Sequence, residues 1–177
     1  MATVTSLTYL RALLGACTAF HDWCGEADAT KALERIYHRQ LPAPKNGRYW
    51  SRAELETYRP FAIVRVPETG GLEWSMEAMS GAMESGRLEI LLEQAIPGPR
   101  RPYIPSDDIE AWQEAIEEIV RGSTAKSTTG ILDLCHPAAA GHLDCGAVRL
   151  IGQWPSDFKE DTDTGRFFRA ILEVSYP

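Results

Sequence analysis

Apolar residues recur along this chain in two rhythms, and the switches between them outline its elements. Leu7, Leu10, Leu13, Leu14, Cys17 and Phe20 fall three and four positions apart, the spacing that gathers side chains on one helical face. Thr5 or Ser6 can cap this helix and Gly25 can close it. A second stripe of the same period comprises Ile109, Trp112, Ile116, Ile119 and Val120. It opens at Ser106, with acids in its first turn to suit the helix dipole, and stops at Gly122. Four other stretches follow the strand pattern. Residues 60–66 form a short apolar run closed by Pro67. Residues 87–93 place Leu88, Ile90 and Leu92 inward and Glu89 and Glu93 outward. Residues 146–154 have a weak point at Gly152. Residues 166–176 set Phe168, Ala170, Leu172, Val174 and Tyr176 on one side, against Phe167, Arg169, Ile171, Glu173 and Ser175.

The segments between carry weaker patterns. Residues 29–33 add a short helical turn. Residues 34–41 extend that helix or form a strand, with Pro42 and the central Ile and Tyr favouring the strand. Residues 42–59 read as an exposed connection, and residues 68–85, with three of the four methionines, as a hairpin loop. Residues 97–105 make a proline-rich turn, residues 123–129 a polar, flexible link, and residues 131–135 a short helical return. Residues 155–165, with Asp157, Glu160, Asp161 and Asp163, form an acidic loop. Strands joined by loops favour antiparallel pairing, and the two striped helices can cover one sheet face. The expected fold is therefore α+β, an antiparallel or mixed sheet of about four to five strands covered by two main helices. No repeat divides the chain, so residues 1–177 form a single domain.

Charge narrows the function classes. The formal net charge is −7, from 25 acids and 18 lysines and arginines. Duplex binding needs clustered bases, and the pair Arg100 and Arg101 is too small a cluster. The expectations are no secretory leader, no membrane partner and four reduced thiols (Cys17, Cys24, Cys135 and Cys145).

Candidate chemistry is sparse. Cys135, His136, His142 and Cys145 lie within eleven residues and offer zinc-type ligands. Adjacent Cys135 and His136 point apart in an extended segment, however, and no Cys-x-x-Cys knuckle is present. Cys17, His21 and Cys24 share a helical face, and core packing explains that spacing equally well. Cys135 beside His136 lacks the third group that orients a catalytic base. Asp107, Asp108 and Glu110 suit a helix N-terminus. Gly70, Gly71 and Gly81 lack the Lys-Ser/Thr ending of a phosphate loop, and no nucleophile elbow occurs. The expectation is no catalytic residue, no metal ligand and no cofactor. The methionine-rich stretch at residues 74–83 is either an adaptable contact surface or a loop packed on its own sheet.

The order of elements resembles the tail terminator and tail-completion proteins of tailed bacteriophages. The resemblance rests on the opening helix Leu7-Thr-Tyr-Leu-Arg-Ala-Leu-Leu14, then Ala32-Leu-Glu-Arg-Ile-Tyr37 and Arg59-Pro-Phe-Ala-Ile-Val64. It continues with Gly86-Arg-Leu-Glu-Ile-Leu-Leu-Glu93, the helix around Trp112 and the closing Phe167-Phe-Arg-Ala-Ile-Leu-Glu-Val-Ser-Tyr176. It implies a structural virion protein rather than an enzyme, assembled in the bacterial host cytoplasm. It further implies a ring, typically sixfold, at the head-proximal end of the tail tube. The ring's partners would be copies of itself, the tube protein and a neck or head-completion protein, with genomic DNA as passing cargo only. Residues 68–85 and 156–164 are the expected contact or lumen loops. The alternatives are another tail, neck or baseplate component, or a small zinc-binding module or enzyme using Cys135, His136, His142 and Cys145.

Overall fold

A five-stranded mixed sheet in the order β1-β2-β3-β5-β4 carries the molecule. This architecture comes from a computed structural model, which describes residues 2–45, 47, 50–67, 86–98, 103–135, 147–156 and 167–176. The elements run α1 (Ala2–Ala16), α2 (Thr18–Cys24), α3 (Ala29–Glu34), β1 (Ile36–His38), α4 (Arg52–Tyr58) and β2 (Phe61–Arg65). Then come β3 (Gly86–Ala95), α5 (Ser106–Arg121), α6 (Ile131–Leu134), β4 (Ala147–Ser156) and β5 (Phe167–Tyr176). The α+β class and the mixed sheet agree with the sequence reading.

The last strand is interior to the sheet. β5 pairs antiparallel with β3 from Phe167↔Ala95 to Tyr176↔Gly86, and with β4 on its other side. β4 shifts register between Leu150 and Gly152. That bulge is the weak point expected at Gly152, since a bulge inserts one unpaired residue into a strand. β1 runs parallel to β2, with Ile36 opposite Ala62.

One sheet face is covered by helices. Ala62, Val64, Leu88, Ile90, Leu92, Phe168, Ala170, Leu172 and Val174 are all buried there. They meet Leu7, Leu10, Leu14, Phe20, Trp112, Ile116 and Ile119 from the helices. The helical stripe around Trp112 therefore does what its period implied. Trp112 stacks on Phe168 with ring centroids 5.4 Å apart. Trp23 lies 6.2 Å from Trp112, and its Nε1–H donates to Gln94 Oε1 at 2.8 Å.

Four expectations change. The first stripe is two helices, because the chain breaks at Cys17 in extended conformation. Thr5 and Ser6 lie inside α1 rather than at its start, whereas Gly25 adopts the left-handed conformation that closes α2. Residues 42–59 contain α4, capped by Ser51, whose side chain accepts from the Glu54 N–H while Glu54 reaches back to the Ser51 N–H. Residues 123–129 form a defined turn with a bridge between Ser123 and Thr128. That turn is tied to α2, because the Ala19 N–H donates to the Thr129 carbonyl at 3.1 Å. Just beyond it, α5 and α6 meet backbone to backbone: a Cβ at Gly130 would lie 2.6 Å from the Arg121 nitrogen.

The hairpin loop at residues 68–85, with its methionines, lies outside the described residues, as do residues 157–166 of the acidic loop. No helix among the described residues is long and apolar enough to cross a membrane.

Candidate functional site: an arginine-lined cleft on the open sheet face

Strand geometry sends alternate side chains to opposite faces, and the face away from α1, α2 and α5 carries a different chemistry. Across β2, β3 and β5, one row reads Phe61, Glu93, Arg169, the next Ile63, Leu91, Ile171, and the third Arg65, Glu89, Glu173. Glu89 and Glu93 do turn away from the core, as their positions implied. They are nonetheless buried, Glu93 against Arg59 and Arg169 and Glu89 against Arg65.

Glu93 is the centre of this layer. Its Oε1 accepts from Arg59 Nε at 2.8 Å and Nη2 at 2.6 Å. Its Oε2 accepts from Arg169 Nε at 3.1 Å and Nη2 at 2.6 Å. The Arg59 side chain is 1% exposed and that of Glu93 4%. Both guanidiniums lie over the Phe167 ring, 4.6 and 4.8 Å from its centroid, which adds cation–π attraction to the ion pairs. Charge-assisted bonds of this geometry are the strong kind. They also occupy Glu93 fully, so no oxygen of it is left to act as a base. Farther along the face, Arg65 Nε donates to Glu89 at 2.9 Å, and Arg149 Nη2 to Glu173 at 3.1 Å.

Helix α4, residues 39–41 and Trp50 form the rim of a cleft of about 340 Å³ above this network. Four arginines (39, 59, 65 and 169) line it together with Glu93, Trp50, Leu55, Phe61 and Phe167. Edge-on aromatic contacts support the α4 side. Trp50 meets Tyr58 at 5.3 Å, Tyr58 meets Tyr37 at 5.8 Å, and Tyr37 meets Phe61 at 6.3 Å. Burial, with a smaller contribution from Tyr58, holds the Tyr37 phenol above its ordinary pKa. Burial lowers the His38 pKa, and the nearby Arg11 and Arg39 charges lower it further.

The residues singled out in the sequence lie elsewhere. Cys17 and Cys24 are free and buried. Burial pushes each thiol up to about 11, so both stay protonated and inert near neutral pH. Cys17 Sγ donates to the Thr129 carbonyl at 2.9 Å, while His21 Nε2 meets the Gly15 carbonyl at 2.7 Å. The three therefore do not converge, and no metal-type cluster occurs among the described residues. Cys135 is disulfide-bonded, which departs from the expectation of four reduced thiols. A disulfide sulfur is not a thiolate ligand or nucleophile. His136, His142 and Cys145 lie outside the described residues. Asp107 and Glu110 are exposed at the start of α5.

The arginine cleft is absent from the sequence reading. Its residues come from positions 39 to 169 and share no local motif. Only the alternation of glutamates in β3 with arginines in β5 hinted at paired charges on one face. No protein-family model matches this chain, and a search of curated proteins finds no match.

Proposed function

We propose that this chain is a structural subunit of a phage tail, the tail terminator that forms a ring where the tube meets the neck. The observation that carries this reading is that the sheet has two unlike edges. β4 is a ten-residue edge strand, with Leu150 and Ile151 exposed on it. β1, at the other edge, is three residues long. An open edge presents unpaired backbone groups to another chain. A contact between unlike surfaces of identical subunits is heterologous, and it closes into a ring when the rotation per subunit permits. The element order along the chain and the occupied state of Glu93 support an assembly role over a chemical one. The net charge of −7 suits a ring through which DNA passes without adhering.

The test is genetic and visual. Deleting the gene from the particle-forming genome is expected to yield tails of uncontrolled length, or tails that fail to join heads. Tubes of normal, uniform length on complete particles would refute the reading. Leu150→Glu, at a position of the edge strand that is 44% exposed, is expected to reproduce the deletion in an otherwise folded protein.

A further inference from the structure

We propose that the free chain pairs with a second copy of itself along β4, antiparallel across a two-fold axis near Ile151, so that two five-stranded sheets join into one. The pairing stands without the ring reading. Only its consequence rests on that reading: the edge the ring uses is masked until the dimer opens.

Elimination is the first argument. Strands β2, β3 and β5 have a neighbour on each side, so β1 and β4 are the two edges of the described sheet. β1 is blocked as a template. The Arg35 carbonyl and the Arg39 N–H face β2, bonded to Ala62 and Val64 at 2.9 and 2.8 Å. Alternate residues of a ladder point their backbone groups the opposite way, so Ile36 and His38 turn their carbonyls outward. Both carbonyls are occupied within the chain. Arg11 Nε donates to that of Ile36 at 3.0 Å, and the Gln40 N–H to that of His38 at 2.7 Å. The strand of a second copy that can meet β4 is therefore its own β4.

Complementarity is the second. β4 offers ten residues and β1 three, and only a β4-to-β4 contact matches the longer edge along its length. Leu150 and Ile151 are 44% and 42% exposed at the middle of β4. A two-fold axis there sets each apolar pair against its own copy. A long edge carrying exposed apolar residues is a feature that folded chains cover. Charge permits the approach: Arg149 Nη2 donates to Glu173 of its own chain at 3.1 Å, so two ion pairs meet near the axis rather than two bare cations.

Register is the third. β4 shifts register between Leu150 and Gly152. With the axis at Ile151, the two bulges face each other. Sliding either strand sets a bulge against a regular stretch, so one register is favoured.

Sedimentation velocity of the full chain, over a concentration series reaching about 200 μM, tests this. A reversible dimer of the 19.7 kDa chain is expected. Hydrogen exchange at both ends of the series should slow in β4 on dimerisation and stay unchanged in β1. Ile151→Lys sets two like charges at the axis. It should weaken the dimer about tenfold or more while melting, when dilute, as the parent does. A monomer throughout, a dimer whose β4 exchange does not slow, or an Ile151→Lys variant that dimerises like the parent would overturn the proposal. A closed ring of the free chain with slowed β4 exchange would overturn it too, by placing β4 against an unlike surface. The gene deletion reads the ring separately: a β4 dimer together with normal tails would keep the pairing and remove only the ring reading.

Discussion

The two faces of the sheet are built from the same three strands and solve opposite problems. Under the helices, Leu88, Ile90, Leu92, Phe168, Ala170, Leu172 and Val174 lose water almost completely, and the gain is the non-directional burial of apolar surface. On the other face, Glu93 is buried to a similar degree, but by two guanidiniums and a phenyl ring. Apolar packing tolerates imperfect partners. A buried charge does not, because its desolvation cost is recovered only by the partner's presence. The covered face should therefore fail gradually under substitution, and the open face abruptly.

The largest effect expected from that contrast is at Glu93. Glu93→Ala removes the carboxylate that pairs with the buried Arg59 guanidinium and should cost about 3–5 kcal/mol, read as a lowered denaturant midpoint. Replacing the whole triad with apolar residues of similar volume (Glu93→Leu, Arg59→Met, Arg169→Leu) should restore most of that loss. Equal losses in the single and triple variants would show that the network is ordinary packing. The covered face gives the next effect. Leu172→Ala should cost about 3 kcal/mol through lost burial and a residual cavity. Its neighbour on the open face, half-buried Ile171, should cost about 1 kcal/mol when truncated to Ala. Comparable values at both positions would abolish the distinction between the faces.

The covered face was readable from the sequence because it is written locally. Period-two alternation placed Leu88, Ile90 and Leu92 inward without knowledge of their partners, and helical spacing did the same for Trp112 and Ile116. The open face is written across distance. Nothing near Arg59 announces Glu93, thirty-four residues on, nor does anything near Glu93 announce Arg169. Charged residues on alternate strand positions default to solvent, and only the pairing of β3 with β5 reveals that these are enclosed. Helix α4 had a local signal, Ser51 with Glu54 three residues later, but the surrounding prolines and charges masked it. The break at Cys17 had none, because the apolar spacing continues through it.

The smallest effect concerns the edge where the two faces meet. His38 ends β1, and burial, Arg11 and Arg39 all lower its pKa below the ordinary value. The folded state thus disfavours the protonated ring, while the unfolded chain takes up the proton near pH 6.5. The unfolded state binds more protons in that range, so stability falls as pH drops. The contribution is fully present above pH 6.5 and is lost as pH falls through the lower, folded value. Substituting His38→Gln should flatten the pH dependence of the melting temperature below about pH 6.5. Arg39→Gly should flatten it partly, since one of the two neighbouring charges is removed while burial and Arg11 remain. A His38→Gln variant with an unchanged acid slope would move the titration to other groups and separate this edge from the cleft it borders.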